Sequence, residues 1–144
     1  RLRSKNDSEV FFRQFLKFQA ALGDPAQALA ACARETVSLW RSCRVRYPAK
    51  KGPYTGLNAV VSDGKSLHAL SLYPGPGRQR SLGRGTQAWG TMSLRADAAR
   101  VLVASEDLDG GKWKRLPPGT LVSAWQEGGR LRLRVRRLGK EVRI

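Results

Sequence analysis

A chain of 144 residues carries 27 Lys and Arg against 11 Asp and Glu, a formal charge of +16, with two cysteines and one histidine. That length suffices for one domain with its own core, no apolar run is long enough to cross a membrane, and a lone histidine leaves a zinc site without partners. The charge points to nucleic acid, an anionic surface or an acidic partner chain, with an Arg-rich genome writing Arg onto solvated faces as the plain alternative.

The chain opens on Arg1 rather than Met, which is expected of cleavage or of a chosen boundary, and no apolar signal segment stands at that start. Asn6 with Glu9 three residues on makes a capping-box-like start. Phe11, Phe12, Phe15, Leu16 and Leu22 then recur near i, i+4 spacing, which predicts an amphipathic helix ending at Gly23. Asp24-Pro25 starts a second helix, with Asp as cap and Pro in the first turn. Its apolar face runs Leu29, Cys32, Ala33, Thr36, Val37, Leu39, Trp40, and it ends around Arg41 to Cys43. Cys32 and Cys43 flank this one helical pattern off any shared face, so they read as free thiols of a reducing, cytoplasmic compartment rather than a disulfide.

After Tyr47-Pro48 the character changes. A strand is predicted over Thr55–Val61, an Asp63-Gly64 hairpin turn next, and a partner strand over Ser66–Leu72. A Gly-, Pro- and Arg-rich loop follows near 74–87. Ala88–Leu94 and Arg100–Ala104 read as strands, Ser105–Gly119 as a connection, and Thr120–Trp125 with Arg130–Arg136 as a last hairpin around Glu127-Gly128-Gly129. The organisation is a helical pair over 1–46 and about six strands over 47–144, an α+β class with an antiparallel sheet.

Three segments could carry chemistry. Alternation along the last strand places Arg132, Arg134 and Arg136 on one face and Leu131, Leu133 and Val135 on the other. Arginines about 6 to 7 Å apart suit a row of phosphates, or keep an exposed sheet edge soluble. No aromatic residue interleaves along that strand to stack a base. The run Gly77–Gly85, with Arg78, Arg80 and Arg84, could wrap an anion through its backbone amides, although it lacks the ending of a P-loop. Ser105-Glu106-Asp107 places a carboxylate pair at a strand end, with no nucleophile or second histidine to match it. His68 reads as a sheet residue with its ring hydrogen-bonded.

Several segments are familiar in their order. Asn6-Asp7-Ser8-Glu9-Val10-Phe11-Phe12 resembles the Asp-(Ser/Thr)-Glu helix start of class II glutamine amidotransferases. LNAVVSDGKSLHA, Leu57 to Ala69, resembles that family's strand–Asp-Gly–strand hairpin, and Leu70-Ser-Leu-Tyr73 a short aromatic strand after it. VLVASE, Val101 to Glu106, resembles an apolar strand ending Ala-Ser-Glu. Trp113, Leu116, Pro117, Gly119, Leu121 and Val122 then match a Trp-x-x-(Val/Leu)-Pro-x-Gly-x-Leu-Val segment. The likeness covers about Ser4 to Ala124 and is closest to small stand-alone amidotransferase-like proteins.

That resemblance implies an N-terminal-nucleophile fold, a four-layer αββα sandwich, of which this chain would be the C-terminal half. The family's nucleophile is the first residue of the mature chain, a Cys assisted by its own α-amino group. An Asn-Gly pair completes the oxyanion site, and an Arg holds the glutamine carboxylate. All of these precede the position that Ser4 matches, and this chain contains no Asn-Gly. The nucleophile-bearing half is therefore expected as a separate or cleaved chain, or as lost. The Asp of the Asp-(Ser/Thr)-Glu start receives the α-amino group of bound glutamine; carried over, that residue is Asp7. Read from the residues alone, Asp7 or Asn6 caps the helix. The resemblance implies glutamine hydrolysis in the assembled protein, no cofactor, and no catalytic residue in this chain. A basic, non-specific nucleic-acid-binding module on an inactive amidotransferase-like scaffold is the alternative.

Overall fold

Two helices lead into two antiparallel sheets, and the chain closes on a short 3-10 turn. The computed structural model describes residues 6–46, 52–74 and 90–142. Helix α1 (Asp7–Leu22) begins where Asn6 accepts the Ser8 amide at 2.9 Å and ends where Gly23 takes φ 69. That left-handed angle suits glycine, so the helix stops there. Asp24 at once caps α2 (Pro25–Cys43), accepting the Ala26 and Gln27 amides at 2.8 and 3.0 Å and the Gln27 side chain at 3.0 Å.

The first half of α2, from Ala28 to Ala33, is buried on every side, because its short alanines admit α1, the sheet and the closing turn together. Further along only Val37 stays buried. Leu39, expected on the apolar face, is 58% exposed among the described residues.

Seven strands follow among the described residues: β1 (Ala59–Ser62), β2 (Ser66–Ser71), β3 (Met92–Ala96), β4 (Val101–Ala104), β5 (Lys114–Leu116), β6 (Thr120–Glu127) and β7 (Arg130–Arg137). The segment 105–119, expected as a plain connection, contains β5. The strand expected from Thr55 pairs only from Ala59. The one sheet expected is two, ordered β1-β2-β6-β7 and β4-β3-β5.

Alternation explains how two sheets and a helix layer stack. Leu70 of β2, Leu72 just beyond its end and Leu121 of β6 lie in one core with Phe15, Leu29 and Ala33 of the helices. Ala69 and Val122, one residue out of phase, point the other way, onto Met92, Leu94 and Leu116 of the smaller sheet. The two central strands of that sheet, β2 and β6, are thus buried on both faces for most of their length. Each fully buried Leu contributes about 1.5–3 kcal/mol. Among the described residues the layers are helix, sheet, sheet; the second helical layer of the expected sandwich is not among them. The smaller sheet stops short of β7, where Leu133 and Val135, on the face turned toward it, remain 39% and 48% exposed.

Candidate functional site

Asp7 occupies the first position of α1, and its side chain is exposed. The cap is Asn6, so Asp7 is free of that task. Its Oδ1 accepts the Ser8 amide at 2.7 Å and the Ser8 hydroxyl at 3.4 Å, and its Oδ2 has no partner among the described residues. Its neighbour Glu9 is held by Arg13 at 2.9 Å, one turn on. Its carboxylate thus has one oxygen anchored on the first turn of a helix and leaves the other with acceptor capacity to spare.

The arginine row has a different setting. β6 and β7 join through Gly128 and Gly129, at φ 56 and 71. Two left-handed residues make a two-residue hairpin loop that matches the strand twist. The loop sets Glu127 opposite Arg130, and so Trp125 opposite Arg132, Ser123 opposite Arg134 and Leu121 opposite Arg136. Arg132, Arg134 and Arg136 therefore do share one face, the face that carries α2. The helix covers β2 and β6 but not β7, leaving a groove of about 410 Å³ lined by Asp24, Gln27, Arg34, Ser123, Arg134 and Arg136, among others. Arg132 is not part of it; its Nε donates to Glu127 at 3.0 Å. Arg134 lies over the Trp125 ring, 5.5 Å from its centroid. An aromatic partner absent from β7 itself is thus supplied by the neighbouring strand. Arg78, Arg80 and Arg84 lie outside the described residues.

Under the groove, His68 of β2 bridges two hydroxyls. Its Nε2 is 2.9 Å from Ser66 Oγ, and its Nδ1 is 3.0 Å from Ser123 Oγ. Ser66 donates its one hydroxyl proton to Asp63 at 3.0 Å, so the network assigns the ring proton to Nε2 and makes Ser123 the donor to Nδ1. Ser123 then offers only lone pairs to the groove. Burial lowers the His68 pKa, against the opposing pull of Asp24 and Asp63. Asp24 itself is raised by burial, but its bonds from Gln27 and Ala26 win and its carboxyl ends below the usual range.

Other candidates resolve as structure. Cys32 and Cys43 are both free thiols, the first buried, the second exposed, and burial pushes the Cys32 thiol to about 11. Beyond the Glu106-Asp107 pair, Asp109 organises its loop by accepting Arg95 Nη1 at 2.9 Å, the Gly111 amide at 2.8 Å and the Trp113 indole at 3.0 Å. No group of three metal-ligating side chains occurs among the described residues. Nor is any described helix long and apolar enough to cross a membrane. Asp7 and the groove are not brought together: α1 is 16 residues long, which puts about 24 Å of helix between Asp7 and Asp24.

No family model matches this sequence, and no curated protein matches it. Among solved structures, a glutamine aminotransferase class-II domain protein from Silicibacter pomeroyi is similar, at 28% identity and a TM-score of 0.60, over 94% of this chain and 54% of that one. The two share a fold over nearly the whole of this chain, which spans about half the length of that relative.

Proposed function

We propose that this chain is the scaffold and glutamine-binding part of a class II glutamine amidotransferase-like protein, with the nucleophile supplied by a separate N-terminal part that begins with Cys. The observation that carries this reading is the fold shared with a class-II domain protein about twice as long. Asp7 supports it, because the carboxylate that the resemblance assigns to the glutamine ammonium is relieved of capping by Asn6 and keeps Oδ2 open. The uncovered Leu133 and Val135 support it too, as an apolar strip on which further strands of the smaller sheet would pack.

In the assembled protein a Cys thiolate attacks the glutamine carboxamide, a thioester forms as ammonia leaves, and water releases glutamate. This chain contributes no group to those bond changes. Asp7 holds the substrate ammonium, a charge-assisted hydrogen bond worth about 1.5–3 kcal/mol. Native mass spectrometry of the purified material should reveal a second polypeptide that starts with Cys. The complex should hydrolyse glutamine, and Asp7→Ala should raise KM about tenfold to a hundredfold with kcat little changed. A complex without glutaminase activity removes the enzyme reading; an active complex whose KM ignores Asp7→Ala removes the role of Asp7 alone.

A further inference from the structure

We propose that the groove between α2 and β7 is a binding site for a small, hydroxyl-bearing phosphate ester, held through its phosphate by Arg34, Arg134 and Arg136 and through its hydroxyls by Ser123 and Gln27. The site goes beyond the amidotransferase reading and does not depend on it.

Four arginines line one concave space from two walls, Arg34 from the helix and Arg134, Arg136 and Arg137 from the strand, with alternation turning the Arg137 side chain toward the other face. None of them has an ion-pair partner among the described residues, where the ion pairs belong to Arg13, Arg95, Arg100 and Arg132. The contrast with Arg132 is instructive. It has the same strand, the same face and the same alternation, yet it lies outside the groove and is satisfied by Glu127. Arginines without an ion pair among the described residues occur elsewhere too, Arg41, Arg115 and Arg130 among them, but in the groove they share one concave space, where like charges repel unless an anion joins them. Arg134 is further fixed by lying over Trp125, which orders its planar donor fork before any ligand arrives.

The lining also selects among anions. A planar carboxylate is saturated by one bidentate guanidinium, whereas a tetrahedral phosphate presents oxygens to several. A groove of about 410 Å³ has the size of a small-ligand site. The opposite side is an acceptor surface. Ser123 gives its proton to His68, the Gln27 amide nitrogen donates to Asp24, and Asp24 itself is engaged with the start of its own helix. Their remaining oxygens accept from hydroxyl groups and repel additional phosphates. Asp24 and Glu141 on the lining interrupt the positive surface, so a long polyanion has no continuous track to follow.

Isothermal titration calorimetry of the purified chain at about 0.15 M salt tests this with ribose 5-phosphate, inorganic phosphate and ribose as probes. Ribose 5-phosphate should bind at one site, tighter than inorganic phosphate, and ribose alone should not bind. Arg134→Ala and Arg136→Ala should each weaken binding about tenfold or more, Arg136→Lys should recover part of it, and Arg132→Ala should leave it unchanged. All three positions are exposed on the strand face, and circular dichroism checks that each of the four variants folds. An equal loss in Arg132→Ala would mean a diffuse field rather than a site. Equal affinity for inorganic phosphate would remove the acceptor side. A single-stranded oligonucleotide that binds tighter than ribose 5-phosphate, with a steep salt slope, would replace the small ligand by nucleic acid.

Discussion

Replacing Asp24 separates two jobs that one carboxylate performs. It caps α2 by accepting two backbone amides and the Gln27 side chain, and it places a negative charge on the groove wall. Asp24→Ala loses both. The lost cap costs about 1 kcal/mol, within a range of about 0.5–2. With an unfolding entropy of about 2.1 cal/mol/K per residue over 144 residues, close to 300 cal/mol/K, each kcal/mol lowers Tm by about 3 °C. Asp24→Ala should therefore melt about 2–6 °C lower by circular dichroism. Asp24→Asn keeps the cap, since Asn serves there as well as Asp, and should melt within about 1 °C of the parent at neutral pH. It nevertheless removes one of the two negative charges on the groove lining, leaving Glu141, and should tighten phosphate binding. The pH profile adds a sign. The Asp24 carboxyl lies below its ordinary value in the fold, so its stabilisation is complete above the unfolded carboxylate range near pH 4. It is lost as pH falls through the folded value, and Asp24→Asn should flatten that acid limb. An Asn variant as unstable as the Ala variant would refute the capping account and leave burial or charge as the reason for Asp24.

Leu70→Ala opens the fully buried layer between the helices and the larger sheet and should cost about 2–5 kcal/mol, visible as a lowered urea midpoint with an unchanged slope. His68 has a lowered pKa in the fold, so the unfolded chain takes up a proton first as pH drops below about 6.5. Stability should be full above that pH and decline toward pH 5, a slope that His68→Gln should remove in a melting series. Native alkylation should modify Cys43 alone, because Cys32 is buried with its thiol pushed to about 11. Intact mass should then show one adduct before unfolding and two after; two adducts in the native state would place Cys32 in an opening segment.

The helices were legible because their ends are chemical. Asn6, Gly23, Asp24 and Pro25 each fix a backbone angle or satisfy an orphan amide, whatever lies around them. The Asp63-Gly64 turn was legible for the same reason: Asp63 accepts the Lys65 and Ser66 amides, and Gly64 takes φ 84. What failed was everything set by partners distant in sequence. β5 is three residues with one buried side chain, too short to leave a period, and it exists because β3 pairs with it. The division into two sheets follows from β2 pairing with β6 rather than with β3, which no local pattern encodes.

The arginine row shows how near the groove was to being readable. Alternation alone put Arg132, Arg134 and Arg136 on one face, and that face is right. A two-residue Gly128-Gly129 loop further implies the register, and the register places Trp125, Ser123 and Leu121 opposite the three arginines. The step that sequence could not take is the third wall. Arg34 comes from a helix whose seat on the sheet depends on the packing of Leu29, Ala33 and Leu121. Without that wall the arginines are a charged edge strand, and a charged edge strand explains solubility but no ligand. With it, Arg134 and Arg136 face a groove without an ion pair, while Arg132 on the same strand face is paired with Glu127 outside it. A genome that merely favours Arg would scatter cations over solvated faces. The proposed site differs from such scattered cations, of which Arg41, Arg115 and Arg130 are examples, in gathering several arginines beside a hydroxyl whose proton goes to His68.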